Sequence, residues 1–307
     1  MQIAVYGYEL PLTMQLAING TPLSRRQGLF VCIDHHWGEI APLPGQSRET
    51  LADAEQDLLA ACQRLSQGRE HGARQPSVRF GLDCALAGVS EMGGEVAPSL
   101  PLLEGARDPI VRAWRCRRSH PNRAWLTLTG DVQHDAGLVR ELTLLAPSLR
   151  LVLDAGGRLS PEQITGLWRR IDGDRIDWLL DPAADIHTGQ QLAEQHGWPV
   201  AFDLARHADT DYMPFPQLKA LVLRPSQLGG LDLCRQLVEL ARRRGLEVMI
   251  ADSLESGLGS RQLARLSQQW NPGQPVALGR CRYLLNQGVD EAGHPEMSRL
   301  SLIQRHG

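Results

Sequence analysis

Lysine is nearly absent from this chain of 307 residues, because Lys219 is the single lysine among 32 basic residues. Burial and neighbouring charge can tune a lysine side chain toward a neutral pKa, whereas an arginine side chain stays protonated. The scarcity of lysine therefore limits any catalytic mechanism that needs a lysine base to one position in the sequence.

Long apolar runs are also missing, and so is a strong excess of charge of either sign. No run approaches the roughly 18 apolar residues that a membrane-spanning helix needs. The opening MQIAVYGYELPL has neither the charged start nor the long apolar centre of a signal peptide. The net charge of −3 is far from the basic balance of nucleic-acid-binding proteins. We therefore expect a cytoplasmic protein with no membrane or nucleic-acid partner, and the sequence makes no prediction of its oligomeric state.

The six cysteines are scattered along the chain without a CxxC pair. A CxxC spacing is typical of structural zinc sites and redox motifs. Because disulfides are rare in the cytosol, we expect these cysteines to be small core residues.

The sequence does contain a succession of short apolar segments between Trp125 and Gly279. The segments close with Asp154, Asp181, Asp203, Arg224 and Asp252. Most of them are followed by a stretch in which apolar residues have helical spacing. This alternation predicts parallel strands that are buried on both faces and joined by helices. In closed barrels of this kind the active site lies at the C-terminal ends of the strands, so these polar residues are candidates for chemistry.

The first 95 residues have a different pattern, which predicts a separate small α+β domain. Two strand-like segments lie on either side of a polar, glycine-containing stretch, Thr13–Gly28, that we expect to be a loop. The spacing of apolar residues predicts helices over Glu49–Gly68 and Pro76–Val89. The stretch Glu91–Pro101 is rich in glycine and proline and is predicted to be a linker.

Three motifs in the chain are specific enough to indicate a family. They are WGEIAPLPGQSRET at Trp37–Thr50, PSVRFGLDCALA from Pro76 and SLESGLGSRQLARL from Ser253. With these motifs the chain resembles the o-succinylbenzoate synthases of the enolase superfamily nearly from end to end. The resemblance implies an α/β fold in which an N-terminal α+β capping domain, residues 1–95, covers a modified (β/α)7β TIM-like barrel. The barrel is predicted to comprise residues 96–307, with a C-terminal segment that returns toward the capping domain.

The resemblance also implies a reaction and a metal. Members of the family dehydrate 2-succinyl-6-hydroxy-2,4-cyclohexadiene-1-carboxylate to o-succinylbenzoate in menaquinone biosynthesis, with Mg²⁺. Three carboxylates on successive strands hold the metal, which stabilises the enediolate that forms when an α-proton is removed. A KxK lysine pair on the second strand supplies the base, and a further lysine lies on the sixth strand.

Position by position, the catalytic groups that the resemblance implies are incomplete in this chain. The first and third metal carboxylates correspond to Asp154 and Asp203, but the second corresponds to Leu180. The KxK strand corresponds to Ala124–Gly130, which contains no basic residue, and the sixth-strand lysine corresponds to Arg224. An arginine is a poor base, but its planar fork binds a carboxylate well.

From these differences we expect an o-succinylbenzoate synthase-like protein whose catalysis is lost or altered and whose Mg²⁺ binding is weak or absent. Arg224 is predicted to contact Asp203 or Asp154 in place of the metal. Two alternatives stay open. One is an active enzyme that uses His187 or His207 as a substitute base, and the other is a non-catalytic protein that binds a small carboxylate.

The segment that follows Asp252 resembles the family's substrate pocket more closely than the catalytic centre does. By this resemblance the substrate-binding residues are Ser253, Glu255, Ser256, Gly257 and Gly279. The backbone N–H groups near the helix start at this segment are suited to hold a ligand carboxylate. A protein-interaction role for the capping domain is a further alternative.

Overall fold

The structure is a computed structural model that describes residues 1–93, 97–207 and 214–307. Its chain divides into two compact units. The first unit comprises Met1–Pro98, Leu223–Leu240 and Ile250–Gly307, and the second comprises Ser99–Val222 and Ala241–Met249. Residues 94–96 of the predicted linker lie outside the described residues. The predicted domain boundary between residues 95 and 96 stays a prediction.

The first unit is built on a four-stranded antiparallel sheet. Its strands are β1 Ile3–Ile18, β2 Thr21–Ile33, β3 His36–Ile40 and β11 Leu300–His306, in the order β11-β1-β2-β3. The turn between β1 and β2 consists of Asn19 and Gly20, whose φ angles of 47° and 83° suit a two-residue type I′ hairpin. The predicted loop over Thr13–Gly28 is therefore wrong. These residues continue the hairpin, and most of their side chains are polar because they are exposed.

Two helices share an apolar core with this sheet, where the sequence predicted helices. They are α1 Leu51–Ser66 and α2 Pro76–Leu86. The start of α1 is a capping box, in which the Thr50 side chain accepts from the Asp53 N–H and the Asp53 carboxylate accepts from the Thr50 N–H. The common core includes the fully buried Val31, Leu58 and Leu82.

Glycines at positions 38 and 81 allow β3 and α2 to approach closely. A Cβ atom at Gly38 would lie 1.8 Å from the carbonyl oxygen of Gly81, so the backbone would have to move. We expect Gly38→Ala to lower the free energy of unfolding, measured in urea, by about 1–3 kcal/mol. Gly166→Ala is the control, because a Cβ there meets no atom closer than 3.6 Å. Equal stability of the two variants would contradict the prediction.

The second sheet has seven strands in the order β10-β9-β8-β7-β6-β5-β4. The strands are β4 Leu102–Leu103, β5 Arg123–Thr127, β6 Arg150–Asp154, β7 Ile176–Leu180, β8 Val200–Asp203, β9 Leu218–Leu223 and β10 Glu247–Ile250. In chain order, the helices after β4 are α3 Arg107–Arg115, α4 Val132–Leu145, α5 Pro161–Trp168, α6 Ile186–His196, α7 Pro225–Leu228, α8 Leu231–Arg243 and α9 Gly257–Trp270. The register from β4 to β9 is parallel throughout, and helices follow most of the strands, as the alternation predicted.

This sheet is strongly curled. Arg123 on β5 donates to both carboxylate oxygens of Glu247 on β10, at 2.6 and 2.9 Å. In a flat sheet two strands five places apart would be separated by about 24 Å. Inside the curl, Trp125 and Trp178 meet edge to face with their ring centroids 5.7 Å apart. The predicted α/β class, with a barrel-like parallel sheet and an antiparallel N-terminal sheet, is confirmed.

Three of the predicted strand-end residues lie at neighbouring strand ends of the second unit. Asp154 is the last residue of β6, Asp203 is the last residue of β8, and Asp181 follows β7 directly. Strand β7 pairs with β6 so that Leu180 lies opposite Asp154. Residues opposite each other in a parallel pair point to the same face, so Leu180 and Asp154 share one side of the sheet.

Within the described ranges, no helix combines the length and the apolar character that crossing a bilayer requires.

All six cysteines are free thiols, and Cys62, Cys84 and Cys234 are buried as predicted. Cys116 is exposed, so the prediction of a core position is wrong for that residue.

Candidate functional site

Asp154 occupies the first predicted ligand position and is held by a tryptophan. The carboxylate is nearly buried at the end of β6, and its Oδ2 accepts a hydrogen bond from Trp125 Nε1 at 3.2 Å. Trp125 lies on β5 and is itself buried. One oxygen of Asp154 is therefore already engaged by the protein.

Leu180 occupies the second predicted ligand position and offers no donor atom. Its side chain is 1% exposed and lies opposite Asp154 in the strand register. Asp203 occupies the third position, 1% exposed at the end of β8, and its Oδ1 accepts from the Ala205 N–H at 3.0 Å. In the order of strands β6, β7 and β8, an apolar residue therefore lies between the two carboxylates.

Asp181, next to Leu180, is the centre of a buried ion cluster. Its φ angle of 44° is in the left-handed region, which turns the chain out of β7. The carboxylate is completely buried and contacts Arg206 Nε at 3.3 Å and His207 Nε2 at 3.1 Å. The Asp203 N–H also donates to it, at 3.1 Å. Burial raises the pKa of the Asp181 carboxyl, against the lowering effect of His207 and Arg206.

The end of β5 carries hydroxyl groups where the resemblance calls for lysines. Thr127 Oγ1 donates to Glu104 Oε1 at 3.3 Å, and Thr129 Oγ1 donates to Asp135 Oδ1 at 2.8 Å. Both hydroxyls donate to carboxylates, and a threonine hydroxyl does not titrate near neutral pH. The segment Ala124–Gly130 therefore supplies no base.

The two histidines proposed as substitute bases have different surroundings. His187 is exposed in the first turn of α6. His207 is buried with Asp181, and its ring meets Phe202 edge to face with centroids 5.7 Å apart. Of the two, only His207 belongs to the buried ion cluster around Asp181.

Arg224 follows β9 directly and lies in the first unit. It is buried, and its Nη1 donates to the carbonyl oxygen of Asp252. The predicted contact of Arg224 with Asp203 or Asp154 stays a prediction. Within the second unit, Arg206 contacts the buried Asp181.

The segment from Asp252 to Gly257 is held by internal hydrogen bonds of the first unit. Asp252 Oδ2 accepts from the N–H groups of Gly279 and Arg280 at 2.7 and 2.8 Å. Glu255 accepts from Ser226 Oγ at 2.5 Å and from the Ser253 N–H at 2.6 Å. The substrate-binding roles of Ser253, Glu255, Ser256, Gly257 and Gly279 stay a prediction.

Glu39, from the WGE motif, fills the N-terminus of α9. Its carboxylate accepts from the Ser256 N–H at 2.9 Å, from Ser256 Oγ at 2.6 Å and from the Gly259 N–H at 2.8 Å. It also accepts from the Tyr8 hydroxyl at 2.5 Å. Burial, together with the charge of Glu39, raises the pKa of Tyr8, so the tyrosine stays a donor. Several of the N–H groups expected to hold a ligand carboxylate therefore bind a carboxylate of the chain itself.

Protein stability should depend on the protonation of Glu255. Burial, with a smaller contribution from the charge of Asp252, raises the pKa of this carboxyl from 4.5 to about 7. Between these values the carboxyl is protonated in the folded chain but ionised in the unfolded chain, so folding becomes less favourable as the pH rises. We expect the wild type to lose about 1–3 kcal/mol relative to Glu255→Gln across that window. Urea unfolding at a series of pH values measures this, and a constant difference between the two proteins would refute it.

Two residues that contact the strand-end carboxylates, Trp125 and Arg206, were not predicted from the sequence. Arg206 gave a signal, because it stands beside His207 in the segment after β8, but a loop arginine is usually solvated. Trp125 gave none, because an aromatic residue in a buried strand is ordinarily a core residue. Their roles depend on which side chains the fold brings to Asp181 and Asp154.

The fold defines the class of this protein. The structure resembles a solved member of the enolase superfamily from Roseovarius nubinhibens, with a TM-score of 0.73 and 13% identity, over 99% of this chain and 98% of that one. It also resembles the o-succinylbenzoate synthase of Thermosynechococcus elongatus, solved with Mg in the active site. There the TM-score is 0.72 and the identity 21%, over 93% of this chain and 95% of that one. The fold is that of the enolase superfamily.

Sequence comparison narrows the class to a family. A family model described as MenC, N-terminal domain, matches residues 1–89. The chain is 32% identical over 295 residues to the o-succinylbenzoate synthase of Salmonella paratyphi B, covering 93% of this chain and 92% of that protein. The chain belongs to the o-succinylbenzoate synthase family, as its motifs predicted.

The strand-end residues do not match the donor set of a three-carboxylate magnesium site. Mg²⁺ demands near-octahedral oxygen coordination. Leu180 offers no oxygen, and the neighbouring Asp181 is engaged by Arg206 and His207. Among the residues that the structure describes, no three His, Cys, Asp or Glu side chains are grouped so that they could hold a metal ion.

Proposed function

We propose that this protein is a member of the o-succinylbenzoate synthase family that has lost the family's dehydration reaction. The observation that carries the proposal is the pair of replacements at the strand ends. Leu180 stands where the second metal carboxylate is expected, and Ala124–Gly130 has no basic side chain. The family scaffold is retained, and the groups that remove the α-proton and stabilise the enediolate are not.

The missing base alone accounts for a large loss of rate. General-base catalysis is typically worth about 10²–10⁴-fold. Thr127 and Thr129 carry hydroxyls that are bound to carboxylates, and Arg224 cannot accept a proton near neutral pH. None of these side chains replaces a lysine that cycles between its two protonation states.

The metal contribution is reduced in the same protein. A divalent cation supplies several kcal/mol of stabilisation to a developing enediolate. We propose that Mg²⁺ binds weakly or not at all, because Asp154 and Asp203 lack the carboxylate that should lie between them. The protein then retains at most a binding role toward a small carboxylate, without a part in menaquinone biosynthesis as a lyase.

A second candidate function is an active dehydratase that uses His207 as its base. The observation that favours His207 over His187 is its contact with the buried carboxylate of Asp181 at 3.1 Å. Such a pair orients an imidazole, as in acid–base catalysis by histidine. His187 has no comparable partner among the contacts of the described residues.

The experiment that separates the two candidates is an assay for o-succinylbenzoate formation with added Mg²⁺ or Mn²⁺. The purified protein is compared with an active relative and with its own His207→Gln variant. No product above the uncatalysed rate supports the loss of the reaction. Product that disappears in His207→Gln establishes the substitute base instead.

A further inference from the structure

Arg206 has donor groups that its contact with Asp181 does not use. Its Nε lies 3.3 Å from Asp181 Oδ2, and about a quarter of its side chain is exposed. Neither of its Nη nitrogens donates to an acceptor among the described residues. A guanidinium carries five N–H donors in a fixed fork, so this group can still bind an oxyanion through two of them.

A second guanidinium lies against the same turn. Gly156 and Gly157 follow β6 with φ angles of 55° and 64°. A Cβ atom at Gly156 would lie 3.3 Å from Arg158 Cζ, and one at Gly157 would lie 2.9 Å from Arg206 Nη2. The two glycines therefore leave room for both arginine side chains. The turn is fixed to the next strand end, since the Gly157 N–H donates to the Asp181 carbonyl oxygen at 2.8 Å.

Charges at these strand ends are arranged in two layers. The carboxylates of Asp154, Asp181 and Asp203 form the buried layer, with residue exposures of 6%, 0% and 1%. The guanidinium groups form the accessible layer, because Arg158 is exposed and Arg206 is partly exposed. Arg158 Nη2 donates to the Leu128 carbonyl oxygen at 3.4 Å. A ligand that reaches this edge from solvent meets positive charge first.

We propose that Arg158 and Arg206 bind an oxyanion, the carboxylate or phosphate group of a small ligand, at the edge where the family holds a metal cation. Arg206 is already oriented by Asp181, so little side-chain entropy is lost when an anion binds. Arg158 adds a second positive charge on the other side of the Gly156–Gly157 turn. This inference rests on the proposed loss of the metal site and adds the chemical class of ligand that replaces the metal.

Titration calorimetry with benzoate and with inorganic phosphate tests the proposal. We expect saturable binding of at least one probe, and the comparison shows whether the site prefers a carboxylate or a phosphate. Arg206→Gln should weaken binding by about ten- to a hundredfold, as expected for losing a charge-assisted hydrogen bond. Because Arg206 also neutralises a buried carboxylate, that variant is at risk of misfolding. Arg158→Gln removes the second donor without touching Asp181 and should weaken binding in the same direction.

The matched control is Arg170→Gln. Arg170 is exposed just after the end of α5, and its Nη1 donates to the Gly166 carbonyl oxygen. This variant should bind the probe as tightly as the wild type does. The proposal is overturned if neither probe gives saturable heat, or if Arg158→Gln and Arg170→Gln bind equally well. Dehydratase turnover would defeat the proposed function but leaves these titrations unchanged, so the two failures are distinguishable.

Discussion

Purified protein should form no detectable o-succinylbenzoate from the family's cyclohexadiene substrate, even with excess Mg²⁺. Two separate losses produce this result. The base is worth about 10²–10⁴-fold, and metal stabilisation of the enediolate adds several kcal/mol, at roughly tenfold in rate for each 1.4 kcal/mol. Turnover at an ordinary enzymatic rate, about 1–10³ s⁻¹, would refute the prediction.

Partial restoration of the family's residues should fail in a defined way. Thr127 lies opposite Asp154 in the strand register, so Thr127→Lys with Thr129→Lys returns two amines to the face that bears the strand-end carboxylates. That variant should stay inactive, because Leu180 still occupies the position of the second metal carboxylate. Leu180→Glu alone is the matched control and should also stay inactive. Activity in the lysine variant without Leu180→Glu would show that the metal carboxylate is dispensable.

Glu39→Ala should cause the largest loss of stability among single substitutions in the first unit. It removes the acceptor for Tyr8, for both donors of Ser256 and for the Gly259 N–H. Buried donors that lose their acceptor cost about 1–3 kcal/mol each, so for these four donors we expect a loss of at least about 4 kcal/mol. That is a large share of the roughly 5–15 kcal/mol that holds a domain folded.

Urea unfolding followed by tryptophan fluorescence measures this loss. Glu9→Ala serves as the control, because Glu9 is exposed and its partners among the described residues are the surface groups of Arg25 and Gln27. Its substitution should change the free energy of unfolding by no more than about 0.5 kcal/mol. A similar small effect at Glu39 would mean that the donors find water or other acceptors.

Much of the fold was accessible from periodicity and capping signals. The helix over Leu51–Ser66 has both regular apolar spacing and a Thr50 cap, and local signals of this kind act within one turn. The ends of β6 and β8 could be predicted because apolar runs stop at Asp154 and Asp203. The hairpin around Asn19 was missed, since its exposed strands lack the alternation of a half-buried sheet.

The site was only partly predictable, for a different physical reason. The replacement of a carboxylate by Leu180 follows from aligning one motif, so the sequence contains it directly. The partners of the buried charges cannot be identified from a motif, because they come from distant parts of the chain. Glu39 and Ser256 are separated by 217 positions, and Asp181 and His207 by 26. Only the folded structure decides that Asp181 meets Arg206 at the strand ends.

Pairing of the first and last strands has a consequence for how the chain folds. Ile3 on β1 lies opposite His306 on β11, so the edge of the N-terminal sheet is completed by residues about 300 positions later. Contacts of such large sequence separation require the closure entropy of the whole intervening chain before they contribute stability. During synthesis one edge of β1 therefore stays unpaired until β11 has emerged from the ribosome. An unpaired edge strand is a template for association with other chains, so the chain is prone to aggregate during this interval.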